Sequence, residues 1–187
     1  MSSTLIILII VVAVAGYVMV TYNALVRVRQ MVQEAWSGID VQLKRRADLI
    51  PNLVETVKGY AGHEKETLER VTEMRSRAQA VPAGDVAGRA AAEGMLSQAL
   101  GRLMAVAEAY PDLKANENFR DLQGTLETLE SEIQMARRYY NGSARELNVK
   151  VESFPSNLIA NQFGFAKADY FELENEADRK TPEVKFS

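Results

Sequence analysis

We expect an all-α protein: an antiparallel long-helix bundle of about three or four long helices, with the first helix extended through the membrane as a single N-terminal transmembrane segment. Three observations predict this fold. An uncharged apolar run opens the chain, apolar residues then recur every three or four positions, and no stretch alternates apolar and polar residues as a half-buried strand would. At 187 residues the chain is long enough to bury a core beyond the anchor.

The first 26 residues carry no charged side chain, and apolar residues dominate from Thr4 to Tyr22. This run is close to the ~20 residues that an α-helix needs to cross the hydrocarbon of a bilayer. A cleaved signal peptide is the alternative, because Ala13-Val14-Ala15 fits a small-x-small cleavage site. A positive n-region is missing, however, and the apolar run continues past that site. We therefore expect residues 1–26 to be a retained spanning helix and its exit, with membrane lipids around residues 4–22.

Two arginines, Arg27 and Arg29, follow the apolar run directly, whereas only the amino terminus lies on its other side. The positive-inside rule therefore places the amino terminus outside and the long C-terminal domain in the cytoplasm. Both arginines are candidate headgroup contacts, because they come immediately after the spanning run.

Residues 27–163 are expected to form the cytoplasmic bundle, and its first helix continues from the spanning run. The helix has one apolar face, with a double step between Leu43 and Ile50. The face consists of Leu25, Val28, Val32, Ala35, Ile39, Leu43, Ile50, Val54 and Val57, widened by Trp36, Leu49 and Leu53. We expect the helix to end or kink at Pro51, since proline lacks a backbone donor and clashes with the carbonyl four residues earlier.

Gly59, Gly62 and His63 predict a turn, after which a second helix runs from Glu64 to just before Pro82. Asp85 is the expected N-cap of a third helix, which Pro111 closes, and Asn116 is the expected N-cap of the last long helix. That helix carries the clearest apolar rhythm of the chain: Phe119, Leu122, Leu126, Leu129, Ile133, Ala136, Tyr140, Leu147, Val151 and Phe154.

Pro155 is expected to stop the last long helix, and a short helix starting at Ser156 or Asn157 ends at Gly164. Residues 164–187 form an acidic and aromatic tail, with five acids and no base in Asp169–Asp178. We expect this tail to be a solvated strap whose aromatic residues dock on the bundle, namely Tyr170, Phe171 and Phe186.

The sequence offers no catalytic constellation. Cysteine is absent and His63 is the single histidine, which excludes thiolate chemistry and multi-histidine metal centres. Glu127, Glu130 and Glu132 fall on the polar side of the last long helix, which indicates a solvated face. The net charge of −3 excludes a global basic field of the kind that binds nucleic acid. We therefore expect a protein that is not an enzyme, with no metal, no cofactor and no nucleic-acid partner.

The densest polar cluster lies on the first helix beyond the membrane, and it is a candidate ion-pair or interaction network. Its members are Asp40, Gln42, Lys44, Arg45, Arg46 and Asp48. On a continuous upright helix Lys44 stands ~33 Å beyond Tyr22, several times the ~8 Å Debye length, so headgroup binding is not expected here. Arg46 falls beside the apolar stripe at the missing step, and a charge there requires a buried partner, either inside the bundle or from another subunit.

Several runs of this chain resemble the bacterial LemA family. The signature lies in Ala35-Trp36-Ser37 followed by Ile39–Val54, and the second half shows similar motifs at Asn118-Phe119 with Leu122-Gln123, Ala136–Asn141 and Phe154–Ala160. Residues 81–114 are the least distinctive part. The resemblance implies a single-pass protein of the bacterial cytoplasmic (inner) membrane with a cytoplasmic antiparallel helical bundle, and it supplies no catalytic residues. Genomic association of some members with membrane quality-control proteases suggests an adaptor role.

Three functions follow as hypotheses. The first is a non-enzymatic membrane-anchored scaffold that self-associates as a homo-oligomer through its helical bundle, with coiled-coil character, and through its spanning helix. Its grounds are the wide apolar stripe of the helical part and the spanning segment. The second is an adaptor that binds another membrane protein, such as a quality-control protease, through the tail. The third is a bundle that holds a lipid or another hydrophobic ligand between its helices.

Overall fold

The computed structural model describes residues 3–172, and these fold into six helices joined by short turns, with no strand among them. The helices are α1 (Ser3–Tyr60), α2 (Lys65–Ala80), α3 (Val86–Glu108), α4 (Pro111–Ala115), α5 (Glu117–Glu152) and α6 (Ser156–Gln162). The all-α prediction with a long, apolar first helix is confirmed.

The helices form two compact units. The first unit contains α1 up to Asp40 and Gln134–Tyr170, and the second contains Val41–Ile133 together with the described residues from Phe171 on. We call them the anchor unit and the distal unit. The expected division into residues 1–26, 27–163 and 164–187 was made by position relative to the membrane, whereas the two units are defined by contacts between residues. The expected division therefore stays a prediction.

The interior of the anchor unit is built from one face each of α1 and α5. Its buried side chains include Leu25, Val28, Val32, Ala35 and Ile39 from α1, Tyr140, Ala144 and Leu147 from α5, and Ile159, Ala160 and Phe165 from the following segment. The Trp36 and Tyr140 rings lie 5.6 Å apart, and the Tyr22 ring lies 4.9 Å from the Phe163 ring. The later residue of α1, Trp36, thus lies beside the earlier residue Tyr140, and the earlier residue, Tyr22, lies beside the later residue Phe163. In this unit α1 is therefore antiparallel to α5 and the segment that follows it.

The distal unit has its own apolar core, contributed by α1, α2, α3, α4 and α5. Residues of the predicted apolar faces occupy it, among them Ile50, Leu53, Val57 and Leu126. Helices α2 and α3 add further buried residues, among them Leu68, Val71, Leu96, Leu100 and Leu103. The apolar stripe of α1 is therefore confirmed along both of its parts.

The expected end of the first helix at Pro51 is wrong, because α1 continues to Tyr60. Proline at position 51 leaves the carbonyl of Ala47 without its usual helical donor. The Arg75 side chain of α2 supplies the missing hydrogen bond, its Nε donating to the Ala47 carbonyl oxygen at 2.6 Å. A tertiary hydrogen bond therefore satisfies the Ala47 carbonyl, which lacks a helical donor because of Pro51, and the helix continues to Tyr60.

The predicted helix caps are confirmed. An oxygen of the Asp85 carboxylate accepts from the Gly88 backbone N–H at 2.8 Å, and the Asn116 side-chain oxygen accepts from the Phe119 N–H at 3.0 Å. Each cap satisfies an N-terminal donor that the helix itself cannot pair. Pro111 differs slightly from expectation: α3 ends at Glu108, and Pro111 opens the short helix α4, where its missing N–H costs nothing.

Among the aromatic residues of the carboxyl-terminal part, the expectation for Phe154 is wrong and the expectation for Phe171 is confirmed. Phe154, which was assigned to the buried stripe of α5, is 79% exposed because α5 ends at Glu152 before the turn at Pro155. Phe171 is fully buried, as expected for a docked aromatic residue. Phe186 and the rest of the predicted strap beyond Glu172 lie outside the described residues.

Candidate functional site

Among the described residues of the distal unit, the most buried charged side chain is that of Arg46, with 1% of the residue's surface exposed. Its Nη1 donates to Ser97 Oγ at 2.9 Å and to Glu130 Oε1, and its Nη2 donates to Glu93 Oε2. Glu93 is itself buried and accepts from Arg89 Nε at 3.0 Å. Two arginines thus face two glutamates, and the formal charges of this network cancel. We call these four side chains the Arg46 network.

The other members of the predicted polar cluster lie outside this network. Arg45 is exposed and bonds Gln42 Oε1 at 2.8 Å and Glu132 Oε2 at 2.9 Å. The remaining three, Asp40, Lys44 and Asp48, have exposed side chains. The structure therefore separates one buried arginine from a set of surface charges.

Sequence reasoning missed the partners of Arg46 and Arg45. Glu130 and Glu132 were interpreted as a solvated face, whereas they bind Arg46 and Arg45. Glu93 was not singled out, although a signal existed: it stands three and seven residues before Leu96 and Leu100 on the apolar face of α3. A carboxylate at such a position must find a cation or remain uncompensated.

The two arginines predicted to contact headgroups are both exposed, and both follow the apolar run on α1. The guanidinium carbon of Arg29 lies 4.8 Å from the centroid of the Phe165 ring, a cation–π arrangement. The apolar run itself is uncovered: within the described residues, α1 is long and apolar enough to cross a membrane. None of its most apolar stretch is buried.

A second exposed apolar surface lies on the anchor-unit part of α5. Met135, Tyr139 and Val149 are 51%, 52% and 53% exposed. With the exposed Gly142 and Glu146 they recur at intervals of four, three, four and three residues, which is the spacing of a coiled-coil seam. An added Cβ on Gly142 would meet nothing within 4 Å. We call these five residues the α5 stripe.

The segment after α6 is fastened to α5 by polar contacts that sequence reasoning did not anticipate. The Asn148 side chain forms two hydrogen bonds with the backbone of Ala168, at 2.8 and 2.9 Å. The Tyr140 hydroxyl donates to the Asp169 carbonyl at 2.8 Å. Burial, and then the charge of Asp169, raise the pKa of Tyr140, so the hydroxyl stays protonated as this hydrogen bond requires.

Residues 3–172 contain no group of three or more His, Cys, Asp or Glu side chains placed to hold a metal ion. The uncovered apolar run and the α5 stripe are both exposed surfaces rich in apolar side chains, and both are suited to contacts with other apolar surfaces.

Comparison with known proteins gives a consistent family assignment. The model of the LemA family matches residues 35–186. Magnetosome protein MamQ 1 of Paramagnetospirillum magneticum is 28% identical over 194 residues, covering 90% of this chain and 71% of that protein. Magnetosome protein MamQ of Magnetospirillum gryphiswaldense is 27% identical, covering 87% and 70%. Protein LemA of Metamycoplasma hominis is 28% identical, covering 80% of this chain and 68% of that protein.

Proposed function

The chain belongs to the LemA family, and from that premise we propose that it is a non-enzymatic scaffold, anchored in the bacterial cytoplasmic membrane by α1, that self-associates through the α5 stripe. Its amino terminus lies outside and its helical units lie in the cytoplasm. The observation that carries the proposal is the exposed heptad spacing of Met135, Tyr139, Gly142 and Val149 on one face of α5.

The anchor restricts how two copies meet. Within the anchor unit, α5 and the segment that follows it run antiparallel to α1, because the Trp36 ring lies beside the Tyr140 ring of α5 while the Tyr22 ring lies beside the Phe163 ring after α6. Two copies inserted in the same membrane with the same orientation therefore present α5 in the same direction. In a parallel pair, each residue of one α5 stripe lies opposite the same residue of the other copy. This is a two-fold symmetric interface, in which both copies use the same surface.

The composition of the α5 stripe fits such a contact. Met135, Tyr139 and Val149 supply apolar surface, and Gly142 permits close approach of the two backbones at the middle of the stripe. Glu146 is the one charged residue on the stripe and lies 3.9 Å from Lys150 on its own helix. A single polar residue in a coiled-coil seam fixes register and oligomeric state at a cost in stability. We therefore expect a specific but reversible association.

Val149→Glu is expected to shift the protein from an oligomer toward the monomer. The substitution places like charges opposite each other across the seam next to Glu146, and it removes apolar contact at the same point. The fold should tolerate it, because Val149 is 53% exposed within one chain. Native mass spectrometry of the full chain in lipid nanodiscs, prepared over a range of protein-to-lipid ratios, measures the distribution of oligomeric states.

Val41 provides the matched control, because it is also a helical valine and is 56% exposed, but it does not belong to the α5 stripe. Val41→Glu should leave the oligomer unchanged. If the unmodified chain is monomeric at every ratio, self-association is wrong. If both valine variants dissociate the oligomer equally, the α5 stripe is not the contact surface.

A further inference from the structure

The segment around α6 exposes large apolar side chains on the anchor unit. Phe154 is 79% exposed, Leu158 60% and Phe163 51%, whereas the neighbouring Ile159 and Ala160 are buried. Three large apolar residues uncovered within ten consecutive positions are unusual for a surface that faces water. We call Phe154, Leu158 and Phe163 the α6 edge.

Direct contacts place Phe163, one member of the α6 edge, beside the apolar run of α1. The Phe163 ring meets the Tyr22 ring edge-on, with the centroids 4.9 Å apart. Phe163 also lines an open apolar groove together with Ala15, Val18, Met19 and Tyr22. Val18 and Met19 belong to the apolar run, so Phe163 lies alongside its last turn.

Leu158 of the α6 edge is kept close to Phe163 by the short helix α6. Helix α6 has seven residues and spans only ~10 Å at 1.5 Å per residue. It is tied at its carboxyl end, where the Phe163 N–H donates to the Ile159 carbonyl at 3.0 Å and the Phe165 N–H donates to the Ala160 carbonyl at 2.9 Å. Leu158 is therefore held within one helix length of Phe163.

The charges of this region suit the boundary between hydrocarbon and headgroups. Arg27 and Arg29 are exposed just beyond the apolar run. The Arg29 guanidinium lies over Phe165, two residues after the α6 edge, at 4.8 Å from the ring centroid. Aromatic rings beside cations at the end of a spanning helix are typical of a membrane interface, where the rings enter the boundary and the cations meet phosphate groups.

We infer that the α6 edge is a second membrane contact, which lies in the bilayer at the boundary between headgroups and acyl chains on the cytoplasmic side. The inference rests on the proposed anchoring of α1. Its occupant is lipid, because Phe163 of the edge shares a groove with the uncovered apolar run, and that run is the segment proposed to lie in the bilayer. The anchor unit is then held to the membrane by a helix and a lateral edge, which fixes its tilt and favours encounters between α5 stripes in the membrane plane.

Depth-dependent quenching of single labelled cysteines tests this inference on the full chain, which contains no cysteine of its own. Phe154→Cys and Leu158→Cys report on the α6 edge, Val12→Cys reports on the spanning run, and Gly38→Cys serves as the exposed control on α1 of the same unit. Each variant carries an environment-sensitive fluorophore in phosphatidylcholine–phosphatidylglycerol vesicles. The vesicles contain nitroxide lipids with the nitroxide either near the headgroup or deep in the acyl chain.

We expect the probes at positions 154 and 158 to be quenched several-fold more than the probe at position 38, and more by the shallow nitroxide than by the deep one. The probe at position 12 should respond most to the deep nitroxide. If positions 154 and 158 behave like position 38 while position 12 is quenched, the second contact is wrong and the anchor stands. If position 12 is not quenched either, the proposed anchoring itself fails. A probe that is shielded from water at position 158 but not quenched indicates coverage by protein, which also overturns the inference.

Discussion

Arg46→Met is expected to lower the free energy of unfolding by about 3–5 kcal/mol, because removal of one partner from a buried ion pair leaves the other charge uncompensated. Glu93 is almost fully buried and loses its bond from Arg46, while Arg89 remains as its one cation in the network. Urea denaturation of the full chain in detergent, followed by helical circular dichroism, measures the effect.

The neighbouring arginine is the matched control. Arg45 also pairs with a glutamate of α5, but its side chain is 56% exposed, and exposed pairs contribute only about 0–1 kcal/mol. Arg45→Met should therefore change stability little. The double variant Arg46→Met with Glu93→Leu should recover much of the loss, because it replaces the charged pair with apolar side chains. A loss for Arg46→Met no larger than that for Arg45→Met would show that the Arg46 network does not stabilise the distal unit.

Arg75→Met is expected to lower the free energy of unfolding by about 1–3 kcal/mol, the cost of leaving a buried acceptor without its hydrogen bond. The acceptor is the Ala47 carbonyl, which Pro51 leaves without a helical donor and which Arg75 Nε reaches at 2.6 Å. If this contact compensates for Pro51, removing the proline should reduce the stability loss caused by Arg75→Met. In a Pro51→Ala background the residue-51 N–H can bond the same carbonyl, so Arg75→Met should cost less there.

Arg77→Met on the same helix is the control for this second cycle, since Arg77 is a surface residue that pairs with Glu73 and its side chain is 60% exposed. It should have little effect in either background. Equal costs of Arg75→Met with and without Pro51 would mean that Arg75 does not compensate for the proline.

Local pattern was enough to predict most of the helices and most of the side chains that fill the two cores. It did not predict α4, the continuation of α1 past Pro51 or the exposure of Phe154. The three-four rhythm of α1 identified its buried residues, and Asp85 and Asn116 were recognisable as caps from residue type and position alone. The gap in the α1 stripe at Arg46 indicated a buried charge, because helical geometry turns that position inward whatever residue occupies it.

Contacts between residues far apart in the sequence could not be predicted from helical periodicity. Glu93 and Glu130 lie 47 and 84 positions after Arg46, and the Ala47 carbonyl lies 28 positions before Arg75. No helical period relates residues at such separations, so the partner of Arg46 and the continuation of α1 past Pro51 required the tertiary structure. The α5 stripe was missed for a different reason: its five positions include Gly142 and Glu146, so it does not stand out in the sequence beside the stronger apolar rhythm of the buried face.

Disulfide cross-linking at Gly142 tests the proposed self-association most directly. The chain has no cysteine, and neither Gly142 nor the control Gly38 has an atom within 4 Å of an added Cβ, so Gly142→Cys and Gly38→Cys should both fold. A disulfide requires Cα atoms no more than about 7 Å apart, a distance that parallel pairing through the α5 stripe produces at position 142. In native membranes under mild oxidation, we predict a disulfide-linked dimer for Gly142→Cys that forms much faster than any dimer of Gly38→Cys. Equal rates for the two variants, given equal labelling by a soluble maleimide, would contradict self-association through α5.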